Sequence, residues 1–191
     1  MDSKTIVRAL LDSDVARLAA MDLAYDTRRV LALERTGEGA EIRVAFGWRA
    51  VDSRPRLYNE YSEQRLRDAP SRADAFFVAE AGGAPCGLLI IVVPLWTDAA
   101  EITDLAVDRP ARGLGAGRAL VSAAVEYARN RHLRALWVEP RSDNSAAIDF
   151  YLMLGFRISG FNDRMYSNGD GGGGDTTIYM HLDLTARPQV V

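Results

Sequence analysis

LAVDRPARGLGAGRALV, Leu105–Val121, passes from an apolar, strand-like run through a glycine loop into a helical pattern. The loop RGLGAG, Arg112–Gly117, thus presents its N–H groups at a helix start. Backbone donors there lack intrahelical partners, and the helix dipole favours an anion. Spacing excludes two nucleotide loops. A Walker loop ends in Gly-Lys-Ser/Thr, whereas Gly117 is followed by Arg118 and Ala119. A dinucleotide fingerprint sets G-x-G-x-x-G directly after its strand. Here Gly113, Gly115 and Gly117 run G-x-G-x-G, and the first lies six positions beyond Val107.

Around this stretch the chain alternates strands and helices. Glu101–Val107 reads as the strand before the loop, and the helix after it runs to about Arg131, with Leu120, Val121, Ala124, Val125 and Ala128 at helical spacing. Leu133–Val138 is a strand ended by Pro140 and RSDN. Asn144 can N-cap a helix over Ser145–Leu154 that Gly155 closes. Phe156–Tyr166 and Thr176–Leu184 are two final strands. Upstream, Ala75–Glu80 and Gly87–Trp96 flank the turn AGGAP. Thr5–Ala9 is a short strand, and Ser13 or Asp14 caps a helix to about Leu23. Arg29–Glu34 and Ala40–Ala50 form a hairpin around TGEG, and Glu60–Asp68 is a charged, exposed helix. The order predicts a single α/β domain, residues 1–191, with a mixed central sheet flanked by helices and an additional N-terminal β-hairpin.

Composition narrows the function. A net charge of −3 argues against a nucleic-acid binder. The lone cysteine, Cys86, allows no internal disulfide and reads as a small buried residue. The start MDSKTIVRALLDSD is too polar for a secretory leader, and the apolar run GLLIIVVPLW is too short for a membrane span. These features predict a cytoplasmic protein without a membrane partner. His132 and His181 stand apart from any metal or triad spacing and read as structural, so no metal is expected. The run GDGGGGD, Gly169–Asp175, reads as a loop between the last two strands.

A second motif accompanies the loop. WVEPRSDNSAAIDFYLMLGF holds Asn144, Phe150, Tyr151, Gly155 and Phe156. Together the two stretches resemble the GNAT family of acyl-CoA-dependent N-acyltransferases. Its motif A, [Arg/Gln]-x-x-Gly-x-[Gly/Ala], is matched by Arg112, Gly115 and Gly117, and the second motif follows in register. The likeness spans roughly 75–184 plus the first strand and helix. It implies that acetyl-CoA is the co-substrate. Its pyrophosphate would lie on Arg112, Gly113, Leu114, Gly115, Ala116, Gly117 and Arg118. Its pantetheine arm would pair with the backbone at Leu105, Ala106 and Val107, with Asn144 as a further partner.

The same resemblance implies acetyl transfer to an amine. The amine must lose a proton before attacking, and the departing thiolate must gain one. Tyr151 matches the family tyrosine beside the thioester sulfur and is the candidate acid. Glu101, six residues before Val107, matches the place of a catalytic glutamate in histone-type members. Asp104 is the second choice: strict alternation puts it on the opposite face, with Ile102 and Ala106, unless a bulge of the kind usual in the family re-aims it. The C-terminal stretch GFRISGFNDRMYSNGD and the strand EITDLAVD resemble the streptothricin acetyltransferase branch more weakly. That implies a small amine substrate of antibiotic type. A protein N-terminus, a metabolic amine and a non-catalytic acyl-CoA sensor stay open as alternatives. The hairpin can wall the acceptor site or, through Val44, Phe46 and Trp48, join a homodimer.

Overall fold

The computed structural model describes residues 5–57, 61–165 and 176–185. In chain order they form β1 (Ile6–Ala9), α1 (Val15–Ala19), β2 (Ala24–Glu38), β3 (Glu41–Leu57), α2 (Glu63–Asp68), β4 (Ala75–Ala81) and β5 (Ala84–Val92). These are followed by β6 (Ala99–Val107), α3 (Ala116–Asn130), β7 (Ala135–Val138), α4 (Ser145–Met153), β8 (Arg157–Asn162) and β9 (Thr177–Asp183). They group into two compact units. One comprises the described parts of Met1–Ala24, Leu57–Val138 and His181–Val191; the other comprises Tyr25–Arg56 and the described parts of Glu139–Met180.

In the first unit the strand order is β1-β4-β5-β6-β7. All neighbours are antiparallel except β6 and β7, which are parallel, so the sheet is mixed. Each face has its own helices, and cross-strand register shows why. Leu88, Ile90 and Ala106 share one face and pack with Val15, Leu18, Tyr61 and Leu66 from α1, α2 and the turn before α2. Gly87 and Val107 are paired on the other face, which α3 covers with buried Leu120, Val121, Ala124 and Ala128. The approach is close. A Cβ on Gly87 would lie 2.9 Å from the Ala106 carbonyl and 3.3 Å from Leu120 Cδ1, so a larger residue would push α3 away. Phe77 of β4 meets Tyr127 of α3 edge to face, with ring centroids 6.2 Å apart.

In the second unit β2 and β3 form a two-stranded ribbon, β8 and β9 are neighbours, and α4 carries buried Ile148 and Tyr151. The ribbon is longer than the expected hairpin, and its turn falls at Gly39–Ala40, not across TGEG. Gly37 (φ 89°) and Gly39 (φ 58°) both take left-handed conformations, which moves the reversal toward the second glycine. Phe46 packs against Phe161 at 5.9 Å, and the Arg29 guanidinium lies 4.1 Å from the Trp48 ring. Two of the three side chains expected at a dimer contact therefore have intramolecular partners.

Other boundaries differ for identifiable reasons. The first helix ends at Ala19, not near Leu23, after a 3₁₀ turn at Asp12–Asp14. β5 ends at Val92, short of Trp96, because Pro94 opens a turn in which its carbonyl accepts the Thr97 N–H. Leu95 and Trp96 are left exposed. α2 is not wholly exposed: Leu66 is buried, as is Tyr61 just before the helix. Tyr166 and the GDGGGGD run lie outside the described residues.

Candidate active site

Gly115 is the N-cap of α3 at φ 94°, and Gly113 two residues earlier has φ 79°. Both positions favour glycine through backbone conformation alone. The first intrahelical bond runs from the Ala119 N–H to the Gly115 carbonyl at 3.0 Å. The N–H groups of Ala116, Gly117 and Arg118 therefore precede the ladder and have no intrahelical acceptor. A Cβ placed on Gly113 or Gly115 would meet no atom within 4 Å, so both glycines border open space. Backbone donors outside the helical ladder at a helix start are the kind of group that favours an anion.

The side chain of Arg112 does a different job. Its Nη1 donates to the Ala24 carbonyl at 2.6 Å and its Nε to the Val107 carbonyl at 3.0 Å. Burial pushes its guanidinium below the usual arginine range. Arg112 thus ties the loop to the end of β6 and the start of β2. Asp108 does the same from the other side. Its buried carboxylate accepts the Asp22 N–H at 2.9 Å and pairs with the Arg17 guanidinium, while the Arg109 N–H donates to the Asp22 carbonyl at 2.9 Å. Sequence reasoning passed over Asp108. The signal was an acidic residue directly after an apolar strand and before Arg-Pro.

β6 supplies the open edge and the acids. It pairs with β5 along most of its length, but with β7 only from Ala99 to Glu101 among the described residues. Beyond Glu101 no pairing with β7 is present among the described residues; the Val107 carbonyl accepts Arg112 Nε, and the rest of this stretch can receive an extended ligand arm. Between Ile102 and Asp104 the register shifts: Ile91 opposes Ile102 and Ile90 opposes Asp104, leaving Thr103 as an extra residue. Cross-strand partners share a face. Val92 opposes Glu101, Ile90 opposes Asp104, and Val92 and Ile90 stand two apart on β5. The bulge therefore puts Glu101 and Asp104 on one face, where strict alternation would have separated them.

That face borders a cavity of about 450 Å³ between the sheet and the α2 region. Ile90, Val92, Thr103 and Asp104 form its sheet side; Arg65, Asp68 and Arg72 are the charged groups of the other. Asp104 Oδ1 accepts a hydrogen bond from the Tyr61 hydroxyl at 2.7 Å and lies 3.6 Å from Arg65 Nη2. Tyr61 and Arg65 were not singled out in the sequence. Ser62 caps α2 by accepting the Arg65 N–H at 3.1 Å, which makes Tyr61 and Leu66 the two arms of a hydrophobic staple and turns Tyr61 inward. That spacing was the available clue.

The second unit carries Asn144 and Tyr151. The Asn144 side chain accepts the Ala147 N–H at 3.1 Å, so it caps α4. Tyr151 is buried between Phe150 and Phe156, with ring centroids 5.4 and 5.2 Å away. Its carbonyl accepts the Phe156 N–H at 3.0 Å across Gly155, whose φ is 89°. This helix-ending motif explains the spacing Tyr151-x-x-x-Gly155-Phe156: the glycine turns the chain and the following aromatic folds back on Tyr151.

Among the described residues no group of three or more His, Cys, Asp or Glu side chains is placed to hold a metal. No described helix is long and apolar enough to cross a membrane.

Comparison with known proteins agrees with this geometry. The model of the acetyltransferase (GNAT) family matches residues 42–156. Streptothricin acetyltransferase of Streptomyces lavendulae is 26% identical over 182 residues, covering 92% of this chain and 93% of its own. The crystal structure of nourseothricin acetyltransferase superposes with a TM-score of 0.78 at 25% identity, covering 94% of this chain and 98% of that one. A Bacillus anthracis protein described as a streptothricin acetyltransferase, solved in complex with acetyl coenzyme A, shares the fold with a TM-score of 0.78 at 22% identity, covering 94% and 99%. The chain belongs to the acetyltransferase (GNAT) family and is an acetyl-CoA-dependent N-acetyltransferase.

Proposed function

We propose that residues 1–191 act as one catalytic domain that acetylates a primary amine of a small, antibiotic-like molecule of streptothricin type. The observation that carries this reading is the bulge at Thr103. It sets two carboxylates, Glu101 and Asp104, on one face of β6, where Asp104 lines a cavity of about 450 Å³, on the same strand whose free edge can hold the thioester arm. The near-full-length likeness to a streptothricin acetyltransferase supports the choice of acceptor.

In this reading the pyrophosphate of acetyl-CoA sits on the N–H groups of Gly113 to Arg118, and pantetheine pairs with the free edge at Leu105, Ala106 and Val107. An N–H of that edge polarises the thioester carbonyl, as an oxyanion donor does. Glu101 removes a proton from the acceptor ammonium, directly or through water, and the neutral amine attacks the thioester carbon. The tetrahedral intermediate loses its second nitrogen proton to solvent and expels the CoA thiolate, which Tyr151 protonates. Asn144 serves as a further contact for the arm while its side chain caps α4. A cytoplasmic location, where acetyl-CoA is available, and pairing of two copies through the ribbon, which exposes Ile42 and Trp48, belong to the same reading.

The test is free-thiol release from acetyl-CoA with three acceptors: streptothricin, a peptide with a free N-terminal alanine, and spermidine. The highest kcat/KM with streptothricin, and streptothricin resistance in a sensitive host expressing the gene, is the expected result. A peptide preference would move the assignment to protein N-termini.

A further inference from the structure

The cavity beside β6 has a division of charge that acetyl transfer alone does not require. On its sheet wall Asp104 has one oxygen engaged: Oδ1 takes the Tyr61 hydroxyl at 2.7 Å and lies 3.6 Å from Arg65. Arg65 in turn lies over the Tyr61 ring at 5.1 Å. Oδ2 has no partner among the described residues. Tyr61 is buried in the core, so the hydroxyl that fixes Oδ1 cannot swing away. On the α2 side, Asp68 accepts a hydrogen bond from Gln64 at 2.9 Å. Arg72 also lines the cavity, and its guanidinium has no partner among the described residues. One wall therefore offers an oriented carboxylate oxygen and the other an unengaged fork of donors.

We propose that Asp104 and Arg72 form a bipolar acceptor subsite, with Tyr61 as the positioning residue for Asp104. This rests on the catalytic reading above, in which Glu101 is the base. Because both residues line one cavity, the subsite would take an aminoacyl group: an ammonium docked on Asp104 Oδ2 and, on the same unit, a carbonyl oxygen accepting from Arg72. Glu101, on the same face, then takes the proton from the docked ammonium. A plain alkyl diamine engages only the Asp104 side.

Two acceptors isolate the effect. Lysinamide carries the carbonyl; 1,5-diaminopentane is the same skeleton without it. The wild type should favour lysinamide by about tenfold or more in kcat/KM, the scale of one charge-assisted hydrogen bond. Arg72→Ala should erase that preference by raising KM for lysinamide alone. Tyr61→Phe, which keeps the buried ring, should raise KM for both amines, leave KM for acetyl-CoA unchanged and leave the rising limb of the pH–rate profile in place. Absence of a wild-type preference, or its survival in Arg72→Ala, would overturn the subsite. A shifted pH limb in Tyr61→Phe would make Asp104 the base and overturn its docking role. Turnover of lysinamide without turnover of streptothricin would remove the antibiotic assignment and leave the subsite standing.

Discussion

At the scale of single residues, the face that each acidic side chain of β6 occupies depends on where one extra residue falls. Thr103 shifts the phase of β6, and two carboxylates that strict alternation separates come to share a face. Glu101→Gln removes a proton acceptor and keeps the shape, so the alkaline-rising limb of the pH–rate profile should be lost, with kcat reduced roughly a hundredfold. An unchanged profile would transfer the role to Asp104. Tyr151→Phe keeps the stack on Phe150 and Phe156 and removes only the hydroxyl. Its kcat should fall by about ten- to a thousandfold with stability little changed, measured by steady-state kinetics beside a thermal melt. The motif spacing made Tyr151 and Gly155 legible. Tyr61 was not, because its role arises from contact with Asp104, 43 residues away.

Among the elements, helix ends carry the clearest expectations. α3 closes with the Leu133 N–H on the Ala128 carbonyl and the His132 N–H on that of Arg129, both at 3.0 Å, and His132 occupies the left-handed position at φ 57°. Glycine is the favoured residue there. His132→Gly should therefore stabilise the protein by about 1 kcal/mol, read as a higher urea midpoint. At the other end of the same helix, Gly115→Val should weaken CoA binding and cost about 1–3 kcal/mol, because a branched residue must adopt φ 94°. Calorimetric titration with CoA checks the first effect and a melt the second. The end of α4 was readable because Gly155 stands in the place where the backbone needs it. The end of α3 was harder to place because histidine holds that conformation without announcing it.

For the molecule as a whole, stability should depend on acid through a partly buried ion pair. The Arg8 guanidinium donates to Asp14 at 2.6 and 2.9 Å and to Glu80 at 3.0 Å, joining β1 to β4 and to the turn before α1. The hydrogen bond from Arg8 holds the Asp14 carboxyl below its ordinary range, against the opposing effect of burial. A lowered folded value means that the stabilisation is complete above the unfolded value, about 3.9, and is lost as pH falls below it. Asp14→Ala should be less stable than the wild type at pH 7, and the gap should narrow below about pH 4 in urea titrations. The sequence by itself determined the element order, the glycine loop that opens α3 and the second motif, because these rest on periodicity, glycine spacing and caps within a few residues. Only the tertiary structure decided which carboxylates share a face, what holds Asp104, and that the Arg112 side chain clamps backbone carbonyls. Those outcomes depend on register between strands and on contacts across tens of residues, and no local pattern encodes either.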